Sequence, residues 1–426
     1  MYNVLIFLLR YTLFKIVMLY LFFADKKRYM HLKERMKFNY FDNNTENNSK
    51  KNILVHAVSV GEVVASTPLI EYLLSEYSNN YNIVISTVTT TGKEMVEKTF
   101  GEKVNHVFFP LDFKDTCKEF IRIIKPHIVL IAETEIWPNF MNELKKRCIP
   151  AILFNGRISP SSYKNYYYFR RFFRVFINYF DVIAVQSQND SERIIEIGAK
   201  KEKVFVMGNL KFDSMLKEID KNKFAKISYE FAIPENRKVI IAGSVHDGEY
   251  EFIINSFVKI KEKLNDICLI IAPRHIKECE KIYKILDRYR LSFTLKTQIE
   301  KDKKNLYDTI ILDTIGELQY AYGISDIAFI GGSIIDRGGH NTLEATRFGI
   351  PVFFGKSMYN FEYIAEQTLK YECGFEVNNS DKLSEKIIEL YNDAELYQEI
   401  DHKARTMINN NMGSIKKISG IINKYL

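Results

Sequence analysis

The sequence predicts an α/β chain of two doubly wound, parallel-sheet domains of roughly equal size. Length, strand character and one interruption predict it. At 426 residues the chain exceeds one ordinary domain. From residue 52 onward, short apolar runs alternate with longer amphipathic stretches: NILVHAV, NIVIST, HIVLIAE, AILFN and DVIAVQ, then KVIIAGS, CLIIAP, TIILDT, DIAFIGG and PVFFG. Strands this uniformly apolar are buried on both faces, as in a parallel sheet covered by helices. The charged segment 211–236 breaks the rhythm, which restarts at Lys238. The expected organisation is a first domain over 26–210, a linker over 211–236 and a second domain over 237–426, with a last helix able to pack back on the first domain.

The N-terminus carries a different signal. Residues 1–23 form an apolar run broken by Arg10 and Lys15 and followed by Lys26, Lys27 and Arg28. A helix through the run would be about 34 Å long, enough to cross a bilayer core. No charged segment precedes it and no small-residue cleavage site follows, so a retained membrane anchor over 1–25, spanning or interfacial, is expected in preference to a signal peptide. The basic cluster after it places the rest of the chain on the cytoplasmic side. A buried helix docked on the protein is the plainer alternative.

Composition narrows the classes further. An apolar fraction of 46% is enough for two cores, and 31 Phe and 26 Tyr leave rings to spare for a lipid face. A net charge of +7 suits anionic partners without choosing among them. The five cysteines show neither CxxC nor Cys/His metal spacing, which argues against a disulfide framework or a zinc site. The segment 161–180, SSYKNYYYFRRFFRVFINYF, interleaves rings with Arg170, Arg171 and Arg174. That pattern suits a membrane interface, or equally an aromatic core helix with a basic outer face; no RNA-recognition motif accompanies it.

Candidate chemistry clusters at strand ends. NILVHAV runs into Ser59-Val60-Gly61-Glu62 and a helix, which sets Glu62 in a first helical turn at the carboxyl end of a strand. There it can accept a proton from an attacking hydroxyl, or serve only as a helix cap. HIVLIAE leads into Glu133-Thr134-Glu135-Ile136-Trp137-Pro138-Asn139; carboxylates two apart on an extended chain point to opposite sides, so one of Glu133 and Glu135 is expected to face a ligand. Arg157, in NGRIS, offers a cation for an acidic ligand or a surface ion pair.

In the second half, DIAFIGG leads into Ser333 and on to Arg337-Gly338-Gly339-His340-Asn341-Thr342-Leu343-Glu344. Paired glycines ahead of a helix predict a phosphate cradle at the helix tip, with Glu344 one turn on for the ribose hydroxyls. The stretch is neither GxGxxG nor Walker A, which disfavours NAD and ATP hydrolysis. Arg274, after CLIIAP, could meet phosphate or base edge; His246 and His275 read as lining. No Asp-x-Asp pair offers a metal–diphosphate grip.

Together HAVSVGEVVASTPLI, AETEIWPNF, NGRIS, GNLKFD, AGSVHDGEY, APRH, DTIGEL and FIGGSIIDRGGHNTLEA resemble the Kdo (3-deoxy-D-manno-octulosonic acid) transferases of lipopolysaccharide assembly, over about residues 50–375. The resemblance implies a GT-B fold, two Rossmann-like domains facing across a cleft, with acceptor binding in the first and CMP-sugar binding in the second. It implies CMP-Kdo as donor, the lipid A precursor (lipid IVA) as acceptor, inversion at the anomeric carbon, no metal or cofactor, and the cytoplasmic face of the inner membrane, among its lipids. Glu62 takes the general-base position; Pro273, Arg274, Gly339, His340, Asn341 and Glu344 fall in CMP-binding motifs. Arg157 and Lys211 are expected at the sugar carboxylate or lipid phosphates, and Glu133 or Glu135 at a sugar hydroxyl or holding the domain together. Left open are a UDP-sugar transferase or epimerase and a catalytically idle nucleotide-binding protein; nucleic acid is not an expected partner.

Overall fold

The computed structural model describes residues 31–36, 50–216, 220–300 and 306–426. The expected anchor over 1–25 lies outside them, and among the described residues no helix is long and apolar enough to cross a membrane. The chain divides into two units, Met1–Ser214 with Met412–Leu426, and Met215–Asn411.

Unit 1 is built on β1 (Lys51–His56), β2 (Tyr81–Thr87), β3 (Asn105–Phe108), β4 (Pro126–Ala132), β5 (Ala151–Gly156), β6 (Val182–Val185) and β7 (Val204–Val206). They pair in the order β3-β2-β1-β4-β5-β6-β7, every neighbour parallel. The apolar runs explain the layering. Ile53 and Val55 of β1, with Ile128 and Leu130 of β4, point into one core, while Leu54, Val129 and Ile131 point into the other. All seven are fully buried, each contributing roughly 1.5–3 kcal/mol as an upper estimate.

Unit 2 repeats the plan with β8 (Lys238–Val245), β9 (Ile267–Pro273), β10 (Phe293–Leu295), β11 (Thr309–Ile311), β12 (Ile327–Ile330), β13 (Val352–Phe354) and β14 (Gly374–Glu376). Their order is β10-β11-β9-β8-β12-β13-β14, again all parallel. All ten apolar runs read from the sequence are strands. The four further strands, β3, β7, β10 and β14, are the sheet edges.

The structure redraws the expected linker. Within 211–236, the helix Lys221–Glu230 is capped by the Asp220 carboxylate and, with the residue after it, buries Ile227 and Phe231 in the core of unit 2. The division falls earlier, after Ser214. At the other end the chain returns to unit 1, where Ile418 and Ile422 of the helix Ser414–Ile422 join the core that holds Val55. Asp213 fixes that return: its carboxylate accepts the N–H groups of Gly413 at 3.0 Å and Ser414 at 3.1 Å. These are orphan donors at the start of the helix, and no side chain of its own N-cap, Gly413, can satisfy them.

Replacing Asp213 by Ala is therefore expected to weaken the anchorage of the last helix by about 1–2 kcal/mol. Amide hydrogen exchange over 414–422 should speed up roughly 5–30-fold, with little change in the strands of unit 2.

Candidate functional site

In a parallel sheet the crevice opens at the carboxyl ends of the strands, where winding reverses. In unit 1 that point lies between β1 and β4. Glu62 follows β1, Glu133 and Glu135 follow β4, and Arg157 follows β5.

Glu62 lies in the first turn of the helix Val60–Tyr77, whose N-cap, Ser59, makes no side-chain bond. Instead Glu62 Oε2 accepts the Val58 N–H at 2.6 Å. The carboxylate is thus a cap, as the plainer expectation had it, yet its acidity is not that of an ordinary cap. Burial, then the neighbouring Glu133, push Glu62 up to about 8, against the Val58 N–H and Arg157, which favour the ionised form. Glu135 is pushed up to about 7, again by burial and then Glu133.

The sequence expectation that only one of Glu133 and Glu135 would face the site assumed an extended chain. Glu133 adopts a left-handed backbone, φ 55°, so strand alternation does not apply, and both carboxylates bear on Glu62. Arg157 approaches Glu133 at 3.9 Å. Thr134 ties the loops together, donating its hydroxyl to Arg157 O at 2.6 Å and accepting the Arg157 N–H at 3.2 Å. Asp112, which the sequence reading did not single out, anchors the motif from below by accepting the N–H groups of Asn139 and Phe140 at 3.0 and 2.9 Å. Both donors belong to the first turn of the helix Pro138–Lys146. Lys211 sits on the short helix Leu210–Asp213, which packs against Val60–Tyr77 and donates the Leu210 N–H to Asn155 Oδ1. That contact brings Lys211 back from β7 toward the loops after β1 and β5.

In unit 2 the reversal lies between β8 and β12, and one buried carboxylate organises it. Glu249 is fully buried and accepts four backbone N–H groups: His246 at 3.0 Å and Gly332 at 2.7 Å on Oε2, Ser333 and Ile334 at 3.0 Å each on Oε1. It binds the loop after β8 to the loop after β12. The sequence contained the signal, a carboxylate directly before a helix, but nothing in it located the four partners.

The paired glycines differ from the helix-tip cradle expected of them. The following helix, Leu343–Thr346, is a single turn, and the two glycine amides are already engaged: Gly338 N–H donates to Ser357 Oγ at 3.1 Å and Gly339 N–H to Gly332 O at 2.8 Å. Their role is close packing. A Cβ on Gly339 would meet Met358 Sδ at 2.2 Å, and both residues need positive φ. Asn341 Oδ1 accepts the Leu343 N–H, and Glu344 lies near Arg347 and Tyr322. His340 is pushed down to about 4 by burial, then by Arg274 and His246. Pro273 and Arg274, with Ser244, Thr314, Gly316 and Leu318, line a cavity of about 380 Å³ at the ends of β8, β9 and β11. Its rim is braced by Lys296, which pairs with Glu230 at 2.7 Å and Glu317 at 3.0 Å.

Two units of this topology, each with polar groups gathered at the reversal of a parallel sheet, define a GT-B-like architecture. A solved glycosyltransferase from Rickettsia africae aligns with a TM-score of 0.61 at 16% identity, covering 88% of this chain and 98% of its own. The UDP-GlcNAc 2-epimerase of Neisseria meningitidis aligns at 0.63 and 14%, covering 88% and 100%. At such identities the likeness concerns the fold alone. Sequence comparison goes further. The family model described as 3-deoxy-D-manno-octulosonic-acid transferase matches residues 30–214, and that of glycosyl transferases group 1 matches 225–407. The 3-deoxy-D-manno-octulosonic acid transferase of Haemophilus influenzae is 33% identical, covering 88% of this chain and 87% of its own. That of Aquifex aeolicus is 31% identical, covering 82% and 89%. The chain belongs to the Kdo transferase family.

Glu249→Ala would leave four N–H groups without an acceptor, those of Gly332 and Ser333 buried and those of His246 and Ile334 half-buried. It is expected to destabilise unit 2 by at least about 3 kcal/mol, read by chemical denaturation monitored within residues 215–411.

Proposed function

We propose that the protein transfers Kdo from CMP-Kdo to the lipid A precursor with inversion, at the cytoplasmic face of the inner membrane. Family membership supports the sugar and the reaction. The observation that carries the mechanism is the crowding of the Glu62 carboxyl, after β1, by Glu133, Glu135 and Arg157, with burial and Glu133 pushing its pKa up to about 8.

In this reading an acceptor hydroxyl attacks the anomeric carbon of the donor while the bond from that carbon to the phosphate oxygen breaks, its electron pair staying on the phosphate. Bond breaking leads, and Glu62 takes the hydroxyl proton late. A carboxylate poised near neutrality is a stronger base than an ordinary one and still ionises at working pH. Arg157 and Lys211 position the acceptor phosphates or the sugar carboxylate, and Glu133 and Glu135 orient a sugar hydroxyl. Pro273 and Arg274 hold the nucleotide with His340, Asn341 and Glu344, on a loop whose close packing Gly339 permits. The N-terminal apolar run anchors the protein beside its lipid substrate.

Glu62 can accept a proton only when ionised, so turnover should rise with pH through about 8 and level off above it, as the pH profile of kcat/KM would show. Glu62→Gln is expected to abolish product formation, followed by the mass of the lipid, while CMP binding stays nearly intact. Stability should move the opposite way. A carboxyl whose pKa is raised on folding loses folding free energy as pH climbs from the usual carboxylate range toward 8. The Gln variant should therefore melt at a higher temperature than the parent at pH 8, with the difference fading below about pH 4. A Gln variant with near-normal turnover would refute the base assignment.

A further inference from the structure

Two imidazoles in unit 2 meet in a geometry with a single physical reading. His246, after β8, and His340, after β12, approach with Nε2 to Nε2 at 2.9 Å. Their ring planes lie within 8° of parallel and their centroids are 5.2 Å apart. Stacked rings cannot bring any two atoms closer than about 3.5 Å. The rings therefore lie edge to edge in one plane and share a proton in an N–H···N bond. Such a pair has two charge states only. One ring donates through Nε2 and the other accepts; a further proton can enter at the donor ring's Nδ1, making the pair a monocation. A second added proton would set two N–H groups against each other.

The charged and titratable groups facing the pair are Glu249 from the turn before the helix Tyr250–Lys261, Arg274 and His275 after β9, and Arg337 on the loop after β12. One carboxylate stands against two guanidinium groups, and that carboxylate is committed to four backbone N–H groups. Both rings press on the backbone that Glu249 holds: a Cβ on Gly332 would meet Cδ2 of His340 at 3.3 Å and Cδ2 of His246 at 3.4 Å. Burial and these cations keep the pair neutral, both imidazoles being shifted down. The same cations invite an anion.

We propose that the His246–His340 pair is the catalytic charge acceptor for the nucleotide phosphate, neutral while the seat beside Arg274 and Arg337 is vacant and a monocation when a phosphate dianion occupies it. The proposal rests on the reading of unit 2 as the CMP-binding unit. In the donor the phosphate is a diester with one negative charge. When the bond to the sugar breaks, the electron pair stays on oxygen and a second charge appears. The pair takes one proton from water as that charge develops and returns it when CMP leaves. A cation that forms alongside the dianion stabilises the transition state more than the bound donor, which is the condition for catalysis. His246, read from the sequence as lining only, becomes half of the device.

Calorimetry of CMP binding to the full chain, at pH 7.5 in two buffers of different ionisation enthalpy, tests it. The expected result is uptake of about one proton per CMP bound, and none for cytidine. His246→Gln and His340→Gln, which keep a hydrogen-bonding amide but cannot carry the charge, should each lose at least half of the uptake and bind CMP about tenfold more weakly, with cytidine affinity unchanged. CMP binding without buffer-dependent heat in the parent protein would overturn the pair's role and leave the nucleotide reading standing. Full uptake persisting in both variants would overturn it as well. Failure of CMP to bind at all would overturn both.

Discussion

Buried parallel strands finish at one edge of the sheet, and there the loop amides leave the ladder without a built-in acceptor. In this protein carboxylates answer that constraint. Glu249 accepts four N–H groups and Glu62 one, while Asp112 and Asp213 accept two each at helix starts, which leave the same kind of orphan donor. An unsatisfied buried donor costs about 1–3 kcal/mol, so the conformations of the active loops depend on these acceptors. Asp326 and Asp181 do the same at the opposite ends of the strands, accepting the N–H groups of Val239 and Ala151. Carboxylates near the functional residues are therefore mostly architectural. What separates Glu62 from the rest is company: it makes one such bond while Glu133 and Glu135 crowd it.

The two units solve opposite electrostatic problems with one scaffold. In unit 1 burial and like charge push the pKa values of carboxyl groups up, the condition the proposed base requires. In unit 2 burial and like charge lower imidazoles, which makes a neutral pair among arginines that can gain charge when an anion arrives. Both arrangements are held at the reversal point of a parallel sheet, where loops from adjacent strands diverge and polar side chains meet without filling the core.

Reading the sequence succeeded where burial alone dictates residue type. Every interior strand was legible because both of its faces are apolar. The four strands that were not, β3, β7, β10 and β14, are edges of three or four residues with mixed burial, such as the partly exposed Val204-Phe205-Val206. Each is paired on one side only and needs less apolar surface. The segment 211–236 misled for a related reason: its charge is the outer face of an amphipathic helix whose Ile227 and following Phe231 belong to the core of unit 2.

The family itself was legible from the order of its motifs, and with it the residues worth naming. Glu62, Arg157 and Arg274 follow strand ends, and His340 lies on the loop after β12, because hydrophobic periodicity places those ends. Sequence by itself determined the two parallel sheets, their apolar interiors and the positions of the polar loops between them, since each follows from local pattern and chain order. Only the tertiary structure decided what those loops do. It turned Glu133 left-handed so that two carboxylates bear on Glu62, engaged the Gly338 amide with Ser357 beyond β13 and the Gly339 amide with Gly332, and joined His246 to His340 across 94 residues of chain. Such outcomes depend on distance and burial between segments remote in sequence, which set acidity and hydrogen bonding and which no local pattern encodes.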